Sequence, residues 1–117
     1  MAKMSQCLTL LLILISSIMI HHLPLVSSKE WCVASLESTD EDLKANIDFG
    51  CSQVDCKPIQ PGGSCFNPNT LINHASYVMN AYYQRHGRVD EACNVIFVNT
   101  GIITAKDPSY GRCVYGL

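Results

Sequence analysis

The sequence predicts an α+β fold: a small, disulfide-stapled single domain in which two main helices pack with a small antiparallel β-sheet. Three observations lead there. Six cysteines, Cys32, Cys51, Cys56, Cys65, Cys93 and Cys113, follow an apolar leader, and an even count behind an export signal reads as a disulfide framework. Two segments, "STDEDLKANIDFG" and "PNTLINHASYVMNAYYQRH", carry helical signals. Short β-rich runs, "EWCVA", "VIFV", "IIT" and "RCVY", lie around them.

Residues 1–28 read as a secretory signal peptide. Lys3 supplies the positive start, and the apolar run from Leu8 to Ile20 is 13 residues long, short of the roughly 20 that a membrane span needs. Val26, Ser27 and Ser28 place small residues for cleavage before Lys29. Cys7 leaves with the leader. The expected mature domain, Lys29 to Leu117, has 89 residues; its core is thin at that size and staples help. Six cysteines permit 15 pairings, and spacing alone does not choose among them, although Cys51 and Cys56 admit a local bridge. A disulfide closing a loop of tens of residues contributes about 3–4 kcal/mol on the chain-entropy account.

Each element follows in order. "EWCVA" (Glu30 to Ala34) is expected as a short strand. Ser38 with Glu41 fits a capping box, and Asp40, Glu41 and Asp42 suit the positive start of the first helix. Leu43 and Ile47 form its apolar stripe, and Gly50 is the expected stop. "IQPGGSCFNPNT" (Ile59 to Thr70) is too rich in Pro and Gly for a helix or a central strand. Asn67 as N-cap and Pro68 at the first helical position start the long helix, which stops at Gly87. Leu71, Ala75, Val78, Met79 and Tyr82 form its core face, with Ile72 beside them; Asn73, Tyr77, Asn80 and Gln84 form the opposite, solvent-facing stripe. Val95–Val98 and Ile102–Thr104 are expected to pair as a hairpin around "NTG", with Gly101 supplying the positive φ. "KDPSYG" is a turn, and "RCVY" a last short strand.

Composition narrows the function. Of the eight Lys or Arg, Lys3 lies in the leader, leaving seven against ten Asp or Glu. With no basic patch, nucleic acid, anionic membranes and membrane lysis are disfavoured. Without a C-x-x-C pair or a histidine beside one, no metal is expected, and no cofactor; His74 and His86 read as ordinary helix residues. The ending "RCVYGL" has no spacer or apolar tail, so no glycolipid anchor is expected. Catalysis is disfavoured because glycoside hydrolysis needs two carboxylates about 5–10 Å apart across a cleft, whereas Asp40, Glu41, Asp42, Asp90 and Glu91 read as helix-start or loop residues.

"WCV" (31–33), "IQPGGSCFNPNT" (59–70), "HASYVMNAYYQ" (74–84) and "DPSYGRCVY" (107–115) resemble the plant X8 domain, carbohydrate-binding module family 43. The resemblance spans essentially all of the expected mature chain. It implies a non-catalytic module binding β-1,3-glucan, the callose of plant walls, and the pairing Cys32–Cys93, Cys51–Cys56 and Cys65–Cys113. This chain is most similar to the small, free, secreted members, which implies a cell-wall location, a monomer, and a separate glucanase as a further partner. The stretch "NVIFV" after Cys93 is longer and more apolar than members often show, leaving Phe97 as either core or ligand contact.

A neutral glucan offers C–H ring faces and hydroxyls, so aromatic plates and amide or hydroxyl groups in a pre-formed groove are what would bind it. The candidates are Tyr77 first, then Gln60, Phe66, Asn73, Tyr83 and Tyr110. Gln60 to Gly63 are expected to form a lip near Tyr77. Trp31, Phe49 and Tyr115 lean structural. The rival readings are a secreted signalling or defence protein acting through a protein partner and, more remotely, a lipid carrier.

Overall fold

The computed structural model describes residues 2–22 and 28–117. Five main elements occur in the order α1 (Ala2–His22), β1 (Trp31–Ala34), α2 (Asp40–Cys51), α3 (Leu71–Arg85) and β2 (Gly101–Thr104), with 3₁₀ turns at Lys57–Ile59 and Asp90–Ala92. In α1, the apolar side chains Leu8 and Leu10 to Ile15 stand exposed and join neither core cluster. No helix among the described residues is long and apolar enough to cross a membrane. Val26 and Ser27, just before the expected cleavage point, lie outside the described residues. From β1 onward the chain is the expected α+β domain: α2 packs on α3, α3 on β1, and β1 pairs with β2.

Helix α2 starts one residue later than the Ser38 box predicts. Thr39 Oγ1 accepts the Asp42 N–H (3.1 Å), and Asp42 Oδ2 accepts the Thr39 N–H (3.3 Å). Ser38 and Thr39 both have an acid three residues on, and the shorter Asp42 closes the box. Nor does Gly50 end the helix, which runs on to Cys51. Its role is close approach: a Cβ there would lie 2.1 Å from Val78 Cγ1 of α3.

After Cys51 the chain folds into the Pro- and Gly-rich loop. Gly63 packs on backbone, since a Cβ would meet the Pro58 carbonyl oxygen at 2.3 Å. Helix α3 begins at Leu71 rather than at Pro68. Thr70 is its N-cap, accepting the Asn73 N–H (3.3 Å), while Asn67 and Pro68 stay in the loop. The helix ends as expected, with Gly87 at φ +82° just beyond it.

The sheet has two strands, and its pairing differs from the predicted hairpin. β2 pairs with β1, Trp31 opposite Thr104 and Ala34 opposite Gly101. Residues 94–99 form turns instead of a strand. Phe97 is pulled inward to 1% exposure, its ring edge-on to Tyr82 with centroids 5.5 Å apart. That aromatic contact, together with Cys93 tied to Cys32, draws the segment into the core and frees the next residues to reach β1. "RCVY" makes no strand either; Tyr110 and Cys113 form a single bridge, exchanging N–H···O bonds of 3.0 and 2.8 Å.

The second edge of β1 is covered by side chains of α3. Ser76 Oγ accepts the Ala34 N–H (3.0 Å) and Asn80 Oδ1 the Cys32 N–H (3.2 Å). Asn80 also donates to the Gly116 carbonyl (3.0 Å). So Asn80, expected on a solvated stripe, is 1% exposed. α3 is covered on both sides, and buried polar groups there must be paired.

Disulfides join Cys32 to Cys93, Cys51 to Cys56 and Cys65 to Cys113. The first lies in a core cluster with Leu43, Met79, Tyr82, Tyr83 and Phe97. The third lies in a second cluster with Trp31, Ile59, Val78 and Tyr115.

Candidate functional site

The structure sorts the six candidate residues. Tyr83 is fully buried in the first cluster; its hydroxyl donates to Glu30 Oε2 (3.4 Å), and burial followed by the Glu30 carboxylate raises its pKa. It therefore offers no plate to a ligand. Phe66 is half-buried against His74, ring centroids 5.5 Å apart. The His74 ring nitrogen donates to the Phe66 carbonyl (2.7 Å), tying the loop to α3.

Tyr77 is half-buried in the second cluster, edge-on to Tyr115 at 5.7 Å. Its pKa is raised by burial first and then by Asp55. It faces a hollow of about 360 Å³ that also takes in Asn80, Gln84, Arg85 and Leu117. The loop reaches the Tyr77 cluster through Ile59, while Gln60 is exposed one residue on.

Asn73 and Tyr110 do come together. They line a hollow of about 390 Å³ between the sheet, the first turns of α3 and the C-terminal segment. The sheet side supplies Val33, Ile102 and, just after β1, Leu36. Helix α3 supplies Ile72, Asn73 and Ser76, and the C-terminal segment supplies Pro108, Tyr110 and Tyr115. No residue lining this hollow carries a charged side chain. Burial, and then the neighbouring Tyr110 and Tyr77 phenols, push the Tyr115 pKa well up, so it stays neutral.

The polar groups here are held in place. The Thr70 hydroxyl donates to Asn73 Oδ1 (2.6 Å), which leaves the Asn73 amide hydrogens free. Ser76 Oγ accepts from Ala34 and keeps its own hydrogen to donate. The Asp107 carboxylate accepts the Ser109 N–H (2.9 Å), and Ser109 holds its pKa below the usual range. That local turn presents Pro108 and Tyr110, and the Ser109 hydroxyl accepts the Tyr115 N–H (2.9 Å). A neutral hollow with tyrosine and proline walls, plus an amide and a hydroxyl, suits a ligand with apolar faces and many hydroxyls.

On the other side of Tyr110 lies a hollow of about 420 Å³, walled by Gly62, Gly63, Ser64, Asn67 and Arg112. The Pro- and Gly-rich loop is thus a lip for Tyr110.

The sequence model of one family, described as the X8 domain, matches residues 30–100. The chain belongs to the X8 domain family. It is 58% identical over 86 residues to a glucan endo-1,3-beta-glucosidase of Triticum aestivum, covering 74% of this chain and 18% of that one. It is 52% identical over 94 residues to the major pollen allergen Ole e 10 of Olea europaea, covering 79% of this chain and 75% of the allergen. To the plasmodesmata callose-binding protein 2 of Arabidopsis thaliana it is 36% identical over 107 residues, 91% of this chain and 52% of that protein. The chain therefore spans less than a fifth of the wheat protein and about half of the Arabidopsis one.

In this X8 domain, sequence reasoning missed Ile72, Ser76, Ile102 and Pro108 as wall residues and left Tyr115 undecided. Ser76 was findable, since it stands four residues before Asn80, where both can cap one strand edge. Ile102 carried no local signal, because it reaches the hollow by pairing with Val33, far away in sequence.

Proposed function

We propose that the X8 domain of this chain is a non-catalytic module that binds β-1,3-glucan in the neutral hollow between β1, α3 and the C-terminal segment. The observation that carries this reading is the lining: aromatic and aliphatic walls, no charged side chain, and free donors on Asn73 and Ser76. Pro108, Tyr110 and Tyr115 act as apolar plates for sugar C–H faces, and Asn73 and Ser76 orient the hydroxyls. Tyr77 acts through Tyr115, against which it packs. The disulfides hold the walls in place before binding, which lowers the ordering cost.

Catalysis is not part of this reading, because the hollow holds no facing pair of carboxylates. The relatives include glucosidases of which the matched region is a minor part, and a glucanase is a further partner of this domain. Residues 1–28 direct its export, and the wall around callose deposits is its place of action.

The test is a titration of the purified secreted protein with laminari-oligosaccharides, followed by NMR shifts, with cello-oligosaccharides as control. Saturable shifts at Asn73, Ser76 and Tyr110 with the β-1,3 series, weakened about tenfold by Asn73→Ala, are expected. Equal binding of the β-1,4 series, or no binding, would remove the reading and turn attention to protein partners.

A further inference from the structure

The central hollow does not end at its own walls. Leu36 and Ile72 line both it and a further hollow of about 380 Å³, which reaches Ser38, Asp40 and Thr70 at the starts of α2 and α3. At the opposite end, Tyr110 lines both the central hollow and the one at Gly62–Ser64 and Arg112. Three hollows of similar size therefore share walls, the central one meeting one neighbour at Leu36 and Ile72 and the other at Tyr110.

The partitions have unusual properties for a resting surface. Leu36 is 89% exposed, an aliphatic side chain held out in water just after β1. Among the described residues, three buried side-chain polar atoms lack a partner, and two of them belong to this series: the Ser38 hydroxyl and the Tyr110 hydroxyl. Buried polar groups are ordinarily paired, and an unpaired one is costly. A polyhydroxylated chain laid past Leu36 and Tyr110 covers the aliphatic group with ring C–H faces, and a small turn of either hydroxyl side chain out of its cover lets sugar hydroxyls pair both groups. The two outer hollows carry one charged side chain each, Asp40 at one end and Arg112 at the other, while the middle has none. Charged groups at the ends accept from or donate to sugar hydroxyls with charge-assisted hydrogen bonds.

We propose that these three hollows form one track for a single glucan chain, with Leu36 and Tyr110 as the partitions between successive segments of the saccharide. The proposal rests on the glucan reading of the central hollow and extends it: the ligand is an internal stretch of polymer, longer than the middle hollow holds, rather than a chain end or a single sugar. Arg112 and Asp40 are then residues that set length preference without touching the central unit.

The experiment is calorimetry of the secreted protein with laminari-oligosaccharides from the disaccharide to the hexasaccharide. Asp40→Asn, Arg112→Gln and Asn73→Ala are compared with the parent. Asp40 and Arg112 are exposed, so their variants keep the fold, which thermal melting checks. Affinity is expected to rise with length and then level off. Asp40→Asn and Arg112→Gln are expected to weaken the hexasaccharide about three- to tenfold and to leave the shortest binding sugar unchanged, whereas Asn73→Ala weakens every length. A disaccharide that binds as tightly as the hexasaccharide, or end variants that weaken short and long sugars alike, overturns the track while the glucan reading stands. Absence of binding at every length refutes the glucan reading itself and the track with it.

Discussion

Tyr110→Phe separates what the domain needs to fold from what its surface needs to bind. The Tyr110 hydroxyl is covered and has no hydrogen-bond partner. Leaving such a group buried and unpaired costs about 1–3 kcal/mol relative to its hydration in the unfolded chain. Phenylalanine keeps the ring that walls two hollows and removes only that oxygen. The bridge between Tyr110 and Cys113 uses backbone atoms and is untouched. The free protein should therefore gain about 1 kcal/mol, which for a domain of this size raises Tm by about 4–8 °C. If Tyr110 turns its hydroxyl out to a bound glucan, affinity should fall as stability rises, the opposition expected where a residue is kept for function. Calorimetric melting gives the first quantity and oligosaccharide titration the second. A lower Tm in Tyr110→Phe would show that the hydroxyl is already satisfied in the free protein, and the argument from its isolation would collapse.

Three further outcomes follow from the packing. Helix propensity alone makes Gly50→Ala stabilising by about 1 kcal/mol, but the new methyl would sit 2.1 Å from Val78 Cγ1. Overpacking of about 1–3 kcal/mol should outweigh the gain, and Gly50→Ala combined with Val78→Ala should lose less than the single changes added together in urea titrations. At alkaline pH, the Tyr115 phenol is raised in the folded state above its ordinary value of 10.0, so its contribution is intact below pH 10 and is lost as pH rises beyond it, by up to about 1.4 kcal/mol per pH unit; Tyr115→Phe should flatten that part of the profile, and an unchanged profile would count against burial as its cause. Replacing Cys65 and Cys113 by serine opens a link across 48 residues and should cost about 4 kcal/mol, while releasing the Gly62–Ser64 lip from Tyr110 and weakening long oligosaccharides more than short ones.

The Asn80 and Tyr83 positions show why a helical wheel misassigns α3. Periodicity assigns one face to a core and the other to water, and that holds for a helix with one neighbour. α3 has α2 on one side and β1 with the C-terminal segment on the other. Its amide and hydroxyl stripe is consumed in pairing Cys32, Ala34 and Gly116. Asn73 and Ser76, near the helix start, are left at the rim of the covered zone, and there the stripe keeps free donors.

From the chain alone came the α+β class, the two helices of the domain, the cysteine framework and the X8 resemblance, because these rest on composition, local spacing and short motifs. The end of α3 at Gly87 was equally legible, since a positive-φ glycine acts within a single turn. Only the tertiary structure decided which run pairs with β1, because the predicted hairpin and the observed β1–β2 pairing have similar β-rich signatures and differ only in what Phe97 and Cys93 are packed against. Only it decided that Gly50 is a point of helix contact, that Tyr83 lies in the core, and that Tyr110 stands beside the Gly62–Ser64 part of the loop. The groove belongs to the same class: its walls come from β1, β2, α3 and the C-terminal segment, and no local pattern encodes the meeting of side chains whose positions are set by four separate packings.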